Sequence, residues 1–207
     1  MSFTDGVGGG AAADALRGRR VHLRPFLPSD FDFTYSLHLE PNNLVSYRLR
    51  GSIPSPESFH RFFWDQALLN LVAVGDSGEP IGVLTAYAAD HRNGTCYIAV
   101  VGSSDAQVNG LMVEATGLLI SYLFLAFPFR KIYMESLREN YAKFSSGEGR
   151  LFNVEAQLLE HEYVDGRYAD MVTVAVYRRD WPELSRFVYG RQLDLGQLDP
   201  AVAQIAR

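Results

Sequence analysis

Apolar and polar positions change period along this chain, and the changes mark out its elements. Val21-His22-Leu23-Arg24-Pro25 alternates as a half-buried strand does, and Pro25 limits its length. Ser29 and Asp30 stand where a helix N-cap would, ahead of Phe31, Phe33, Tyr35 and Leu37. After a link containing Pro and Asn, Ser55 is placed to cap a second helix and Pro56 takes its first position. Phe59, Phe62, Phe63 and Leu69 supply that helix's apolar face. Residues 71–74 read as a short strand, Asp76-Ser77-Gly78-Glu79 as a turn, and 81–89 as the next strand. Asn93-Gly94 then forms a tight turn into an antiparallel return over 95–101.

The stretch from 97 to 140 organises the rest. It reads as an apolar strand (Tyr97-Ile98-Ala99-Val100-Val101), a small-residue loop ending at Gly110, and an apolar helix over 111–127. A strand over 131–136 follows, and Asn140 opens another helix. A helix start behind a glycine-containing loop presents unpaired N–H groups and partial positive charge, which suits a phosphate-bearing ligand. Residues 140–152 have helical length, but Gly147 and Gly149 each cost about 1 kcal/mol relative to Ala, which predicts a short or broken helix. Residues 157–164 and 171–177 form a hairpin around Asp165-Gly166-Arg167. Past Trp181, a weak apolar pattern (Leu184, Phe187, Leu193, Leu195, Leu198) predicts an appendage packed on the domain. The expected organisation is a flexible tail over 1–15, one domain over 16–181 and an extension over 182–207. Its fold class is α+β (mixed α/β), with a mixed sheet of about seven strands flanked by helices.

Composition narrows the classes. The 207 residues suit one domain with a substantial core, and the formal charge of -5 argues against nucleic acid as the main partner. With Cys96 the sole cysteine, no internal disulfide can form, and without clustered histidines no structural metal is expected. The N-terminus lacks the basic start and apolar run of a signal peptide. The most apolar segment, 118–129, is too short to span a bilayer and is interrupted by Pro128. A cytoplasmic protein without a membrane partner is the expectation.

Five motifs in order carry a family resemblance. They are Val21-His22-Leu23-Arg24-Pro25; Asp90-His91-Arg92-Asn93-Gly94-Thr95; and Gln107-Val108-Asn109-Gly110-Leu111-Met112 with Glu114-Ala115 behind it. Then come Arg130-Lys131-Ile132-Tyr133-Met134-Glu135-Ser136 with Asn140, and the closing hairpin with Glu160-His161 and Asp165-Gly166-Arg167-Tyr168. Over roughly residues 16–181 this series resembles the GCN5-related N-acetyltransferases (GNAT), and within them the RimJ/RimL-type branch. The resemblance implies the GNAT acyl-CoA N-acyltransferase fold. It also implies transfer of an acetyl group from acetyl-CoA to an amine, by direct attack in a ternary complex. The acceptor would be a small-molecule amine or a protein N-terminus. Coenzyme A would be held by Val100 and Val101, by Gln107, Val108, Asn109, Gly110, Leu111 and Met112 around its pyrophosphate, and by Asn140. A bulge near Val100 and Val101 would splay the fourth strand from the fifth and free a backbone N–H for the carbonyl oxygen.

Two positions depart from the family pattern. Met112 replaces a Gly or Ala, and it either points away from the cofactor or crowds it. Gly147 stands seven residues after Asn140, where family members commonly carry a proton-donating Tyr, so the helix there is divergent. Ser145 and Ser146, near that position, are then either catalytic proton donors in its place or ordinary loop serines. For the base, strand alternation puts Ile132, Met134 and Ser136 on the face of the long helix and Tyr133 and Glu135 on the other. In this fold the second face borders the acceptor cleft. Glu135 is then either the catalytic base, directly or through water, or a surface or salt-bridged carboxylate. The aromatic residues at 31–35 and 59–64 form either a cleft for an apolar amine or plain core. Two functional readings remain: an acetyltransferase, or a non-catalytic coenzyme A-binding or interaction module. The edge of the last hairpin and the apolar tail are compatible with a homodimer.

Overall fold

Seven strands join in one mixed sheet. A computed structural model describes residues 15–46, 48–65, 67–108 and 110–189. The strands are β1 (Val21–Pro25), β2 (Ala67–Gly75), β3 (Pro80–Asp90), β4 (Thr95–Gly102), β5 (Lys131–Leu137), β6 (Asn153–Val164) and β7 (Arg167–Tyr177). Their order across the sheet is β1-β2-β3-β4-β5-β7-β6, and every neighbouring pair is antiparallel except β4–β5. The helices are α1 (Phe31–Leu39), α2 (Pro41–Ser46), α3 (Pro56–Trp64), α4 (Ser104–Val108), α5 (Leu111–Ala126), α6 (Arg138–Tyr141) and α7 (Trp181–Tyr189). The seven-stranded α+β expectation holds. The Pro- and Asn-containing link contains α2, and the small-residue loop contains α4.

Alternation along the strands builds two layers of core. Leu84, Ala86, Cys96, Ile98, Ile132, Val172, Val174 and Val176 face α5, whose Leu118, Leu119, Leu123 and Phe124 are wholly buried. The helix is apolar around most of its circumference because sheet lies below it and α7 beside it. On the opposite face, Val83 and Val101 pack beneath Leu37, Phe59 and Phe63 of α1 and α3. Much of the aromatic crowd in those helices is therefore core, while Phe62 stays partly exposed and Trp64 exposed.

Local chemistry explains the ends of elements. Ser55 caps α3 by accepting from the Ser58 N–H at 3.2 Å, as its position predicts. Asp30 takes the N-cap position of α1, but its carboxylate turns to Arg24 (2.7 and 2.8 Å) and to the Leu27 N–H (2.8 Å). The Arg24 hydrogen bonds hold the Asp30 carboxyl below the usual range. The segment after β5 forms one helical turn, α6, then a 3-10 turn at Ser145–Gly147, and reaches β6 at Asn153. Asn140 lies inside α6; the N-cap is Leu137. A Cβ at Gly147 would lie 2.7 Å from the Phe152 ring, so that ring fills the space a larger residue would need.

The expected boundary between 181 and 182 falls within α7, which is bound to the domain. The Trp181 indole donates to Ser121 Oγ at 2.9 Å, and the Tyr189 hydroxyl donates to the Ala15 carbonyl at 2.7 Å. Residues 1–14 and the expected apolar positions Leu193, Leu195 and Leu198 lie outside the described residues.

His38 is wholly buried, with its ring against Phe59 and Phe63 and Nδ1 at 2.7 Å from the Thr34 carbonyl. Burial pushes its pKa from 6.5 down to about 4, and the Arg48 charge adds to the effect. Between those values the unfolded chain takes up a proton that the folded one refuses. The stability present at neutral pH is therefore lost as pH falls through that window. Urea midpoints of the wild type should decline from pH 6.5 towards pH 4, and those of His38→Gln should decline less. Parallel profiles would exclude His38 as the source.

Candidate active site

The geometry of the site begins with a short parallel pairing. β4 and β5 are in register at Thr95–Lys131, Cys96–Ile132 and Tyr97–Tyr133, and then part. Each continues along its outer neighbour, β4 along β3 to Gly82–Gly102 and β5 along β7 to Leu137–Met171. A wedge-shaped gap therefore opens beyond Tyr97 and Tyr133. The Ser103 N–H donates to the Ile81 carbonyl at 2.9 Å, which fixes the alternation of backbone direction along β4. Ala99 and Val101 present their N–H and C=O groups to β3, and Val100 presents its own to the gap.

The expected bulge at Val100 and Val101 is not there. The β3–β4 register runs unbroken from Gly82 to Tyr87, and the irregularity lies between Tyr87 and Asp90, where Ala88 has φ 46. The gap comes from strand divergence; Val101 turns its backbone to β3, and the N–H that faces the gap is that of Val100.

The start of α5 lies at the same end of the sheet. Gly110 caps it with φ 70, a conformation that glycine adopts without strain, and nothing lies within 4 Å of where a Cβ would stand. Within the helix, the first amide to find an acceptor is that of Glu114, at 3.3 Å from the Gly110 carbonyl. Leu111, Met112 and Val113 therefore direct N–H groups outward without intrahelical partners. The Glu114 carboxylate accepts from the Arg19 and Arg20 amides (2.5 and 3.0 Å), which holds the turn before β1 against the helix.

The Met112 side chain is buried and points away from that surface. A Cβ on Gly102 would lie 2.4 Å from Met112 Cγ, and one on Gly82 would lie 2.6 Å from Cε. Both glycines thus leave room for the thioether against the sheet. Of the two alternatives for Met112, the side chain takes the inward one, and what the residue presents at the helix start is its N–H. Gln107 and Val108 lie in α4 with side chains outside the described positions, and Asn109 lies outside the described residues. The Asn140 side-chain amide donates to Ser136 Oγ at 3.2 Å, tying α6 to the end of β5.

The other face of the sheet carries a row of rings. Tyr87, Tyr97 and Tyr133 lie side by side on β3, β4 and β5, with centroids 5.8 and 5.1 Å apart. Glu135 follows Tyr133 on the same face, opposite Thr173. It is exposed and makes no ion pair or side-chain hydrogen bond among the described residues. Burial, and secondarily the nearby Glu135 charge, raise the pKa of Tyr97. Arg48 covers the far end of the row, its guanidinium 4.1 Å from the Tyr87 centroid and 4.6 Å from that of Phe62. The sequence reading missed Arg48, which sits in a stretch without periodicity and outside any motif.

The expected hydroxyls are placed less well. Ser145 donates to the Ala142 carbonyl at 3.2 Å and Ser146 is exposed, both on the 3-10 turn. The hydroxyl that the broken helix does order belongs to Tyr141, which donates to Glu148 Oε2 at 2.6 Å with its ring against Phe144 and Phe152.

Residues 20–145 match the family described as the acetyltransferase (GNAT) domain. Among solved structures, a spermidine N-acetyltransferase from Vibrio cholerae in complex with CoA and spermine is 19% identical, with a TM-score of 0.70. The match covers 78% of this chain and 98% of that one. A GCN5-related N-acetyltransferase from Brucella melitensis is 20% identical with a TM-score of 0.66, covering 83% and 81%. Likeness at this identity shows a shared fold. No curated protein matches the sequence.

The seat of Met112 gives a test. Gly102→Ala meets the Met112 side chain, whereas Gly82→Ala also meets the Val101 carbonyl oxygen at 2.6 Å. Each should cost about 1–3 kcal/mol by overpacking. Combining Gly102→Ala with Met112→Ala should be milder than the sum by about 1 kcal/mol or more, and the Gly82→Ala combination should recover less. Denaturant unfolding of the two double-mutant cycles measures both, and equal coupling would refute this seat.

Proposed function

Because the chain belongs to the acetyltransferase (GNAT) domain family, we propose that acyl transfer takes place in the gap between β4 and β5. The chain is an acetyl-CoA-dependent N-acetyltransferase, and the cofactor supplies the activated acetyl thioester that an amine receives. The observation that carries the site is the divergence after Tyr97–Tyr133, which turns the Val100 backbone to the gap beside N–H groups at the start of α5 that have no intrahelical partner. Those two sets of donors fit the extended and anionic parts of coenzyme A. Leu111, Met112 and Val113 would hold pyrophosphate through their amides, with Gly110 leaving the approach open.

The roles follow from the charges that change. The Val100 N–H meets the carbonyl oxygen as it gains charge. An alkylamine, protonated near neutral pH with a pKa of about 10, must give up a proton before it attacks. Glu135, exposed on the acceptor face beside Tyr97 and Tyr133, takes it through water. No acid is needed at Gly147, because a thiol of pKa about 8.5 is a competent leaving group as its anion. Ser145, with its hydroxyl on a backbone carbonyl, and the exposed Ser146 are assigned no role.

The acceptor we take is a small-molecule amine, as the Vibrio cholerae structure with spermine supports; a protein N-terminus is the second class to test. The motifs at Val21–Pro25 and from Asp90 to Thr95 support the RimJ/RimL-type branch. Among the described residues no helix is long and apolar enough to cross a membrane, and we assign the enzyme to the cytoplasm. Exposed Leu159 and Tyr163 on β6, at the sheet edge, support a homodimer.

Calorimetric titration with acetyl-CoA, followed by thiol-release assays over an amine panel, tests the reading. No binding at millimolar acetyl-CoA would sink it. Glu135→Gln should lower kcat by roughly 100-fold with acetyl-CoA affinity unchanged; an unaltered kcat would remove Glu135 from the mechanism.

A further inference from the structure

Five arginines are half-buried among the described residues, and four of them reach an oxygen. Arg24 binds the Asp30 carboxylate, Arg50 pairs with Glu162 at 3.6 Å, Arg130 donates to the Asn93 carbonyl at 2.9 Å, and Arg178 donates to the Phe124 and Phe127 carbonyls. Arg48 reaches none. Its guanidinium lies over the Phe62 and Tyr87 rings instead.

That arrangement is specific in what it leaves open. Ring faces attract a guanidinium through its charge but accept its N–H groups far more weakly than an oxygen does. Removing a cation partly from water without giving it an anion is costly, so an unpaired half-buried Arg marks a place where an anion comes from outside. The planar fork of N–H groups matches a carboxylate in two parallel hydrogen bonds. Position adds the second argument. Tyr87 touches Tyr97, Tyr97 touches Tyr133, and Glu135 follows Tyr133 on β5. The row of rings therefore runs from Arg48 to the mouth of the β4–β5 gap, where the Lys131 ammonium beside Tyr133 is already paired with Glu155 at 2.7 Å and Glu135 is the carboxylate without an ion pair among the described residues.

We infer that Arg48 anchors a carboxylate carried by the acceptor, so that the enzyme acts on amines that bear a carboxylate, their body lying along the Tyr87–Tyr97–Tyr133 row. This rests on the acceptor face proposed above. A polyamine would bring a second cation to a guanidinium with nothing to neutralise it. A neutral amine would leave the N–H fork unpaired. The carboxylate-bearing amine places its negative group at Arg48 and its amine beside Glu135.

Matched acceptors separate these classes: an amino acid or short peptide with a free carboxylate, the same compound as its primary amide, a diamine of equal length, and an aminoalkyl phosphate. Thiol release from acetyl-CoA gives kcat and KM for each, with the wild type and with Arg48→Gln and Arg48→Lys. For the carboxylate compound, Arg48→Gln should lower kcat/KM roughly 10- to 100-fold, mainly through KM. For the amide the change should be under about 3-fold, and Arg48→Lys should restore part of the loss because it keeps the charge without the fork. Thermal melts check that the variants are folded. Equal losses on the carboxylate and the amide, or a wild-type preference for the diamine, would overturn the inference while leaving the acetyltransferase reading intact. Preference for the phosphate would overturn the choice of carboxylate. If no acceptor gives thiol release, the acceptor-face reading fails separately. Calorimetry of the carboxylate compound against the coenzyme A complex then decides the Arg48 site, with binding lost in Arg48→Gln supporting it and absence of binding in the wild type refuting it.

Discussion

Two strands that must each stay paired to an outer neighbour cannot also stay paired to one another while the sheet twists, and β4 and β5 show how this is resolved. Three residue pairs hold them together, after which β4 follows β3 and β5 follows β7. Backbone groups along the inner sides of the gap, those of Val100 among them, are left facing a slot and not a strand. Such groups demand hydrogen-bond partners. A ligand with its own amide-like groups can supply them, which is why a fault in the sheet can serve as a binding site. The slot needs a firm roof, and α5 provides it by burying one face on Ile98, Ile132 and Val174.

The brace beneath that roof is the contact of Met112 with Gly82 and Gly102. Neither glycine is needed there for an unusual backbone angle, since neither has positive φ. Both are needed for the absence of a side chain, because the thioether occupies that space. A small residue at 112 would let the helix start sit elsewhere relative to the sheet. The substitution at 112 is thus accommodated by the strands beneath it, and the outward N–H groups of α5 stay clear.

What the sequence could reveal was what is local. Alternation put Ile132, Met134 and Ser136 on one face and Tyr133 and Glu135 on the other, as found, because strand period depends on the chain alone. Asn93-Gly94 and the Ser55 cap were legible for the same reason, each being a bond between near neighbours. The direction of Met112 was not, since it depends on Gly82, thirty residues upstream in sequence. Nor was the origin of the gap, which a bulge in β4 would explain locally and which in fact comes from the outer neighbours. After β5, the glycines announced a broken helix, but the entry of the Phe152 ring beneath Gly147 depends on how β6 returns. Arg48 was the least legible residue because its meaning lies in what it does not contact.

That absence carries weight in an acidic chain. With a formal charge of -5, the protein offers many carboxylates, and Arg24, Arg50, Lys131 and Arg138 each have one. A half-buried guanidinium with no oxygen partner among the described residues therefore stands out electrically, and field lines from it are concentrated by the low-dielectric ring walls of Phe62 and Tyr87. Glu135 supplies the opposite sign at the other end of the row. In the proposed site, these two charges favour an acceptor whose own charges are reversed in order and disfavour its binding end for end. Orientation along the rings then comes from electrostatics, and the amine arrives beside Glu135 without any pocket having to enclose it.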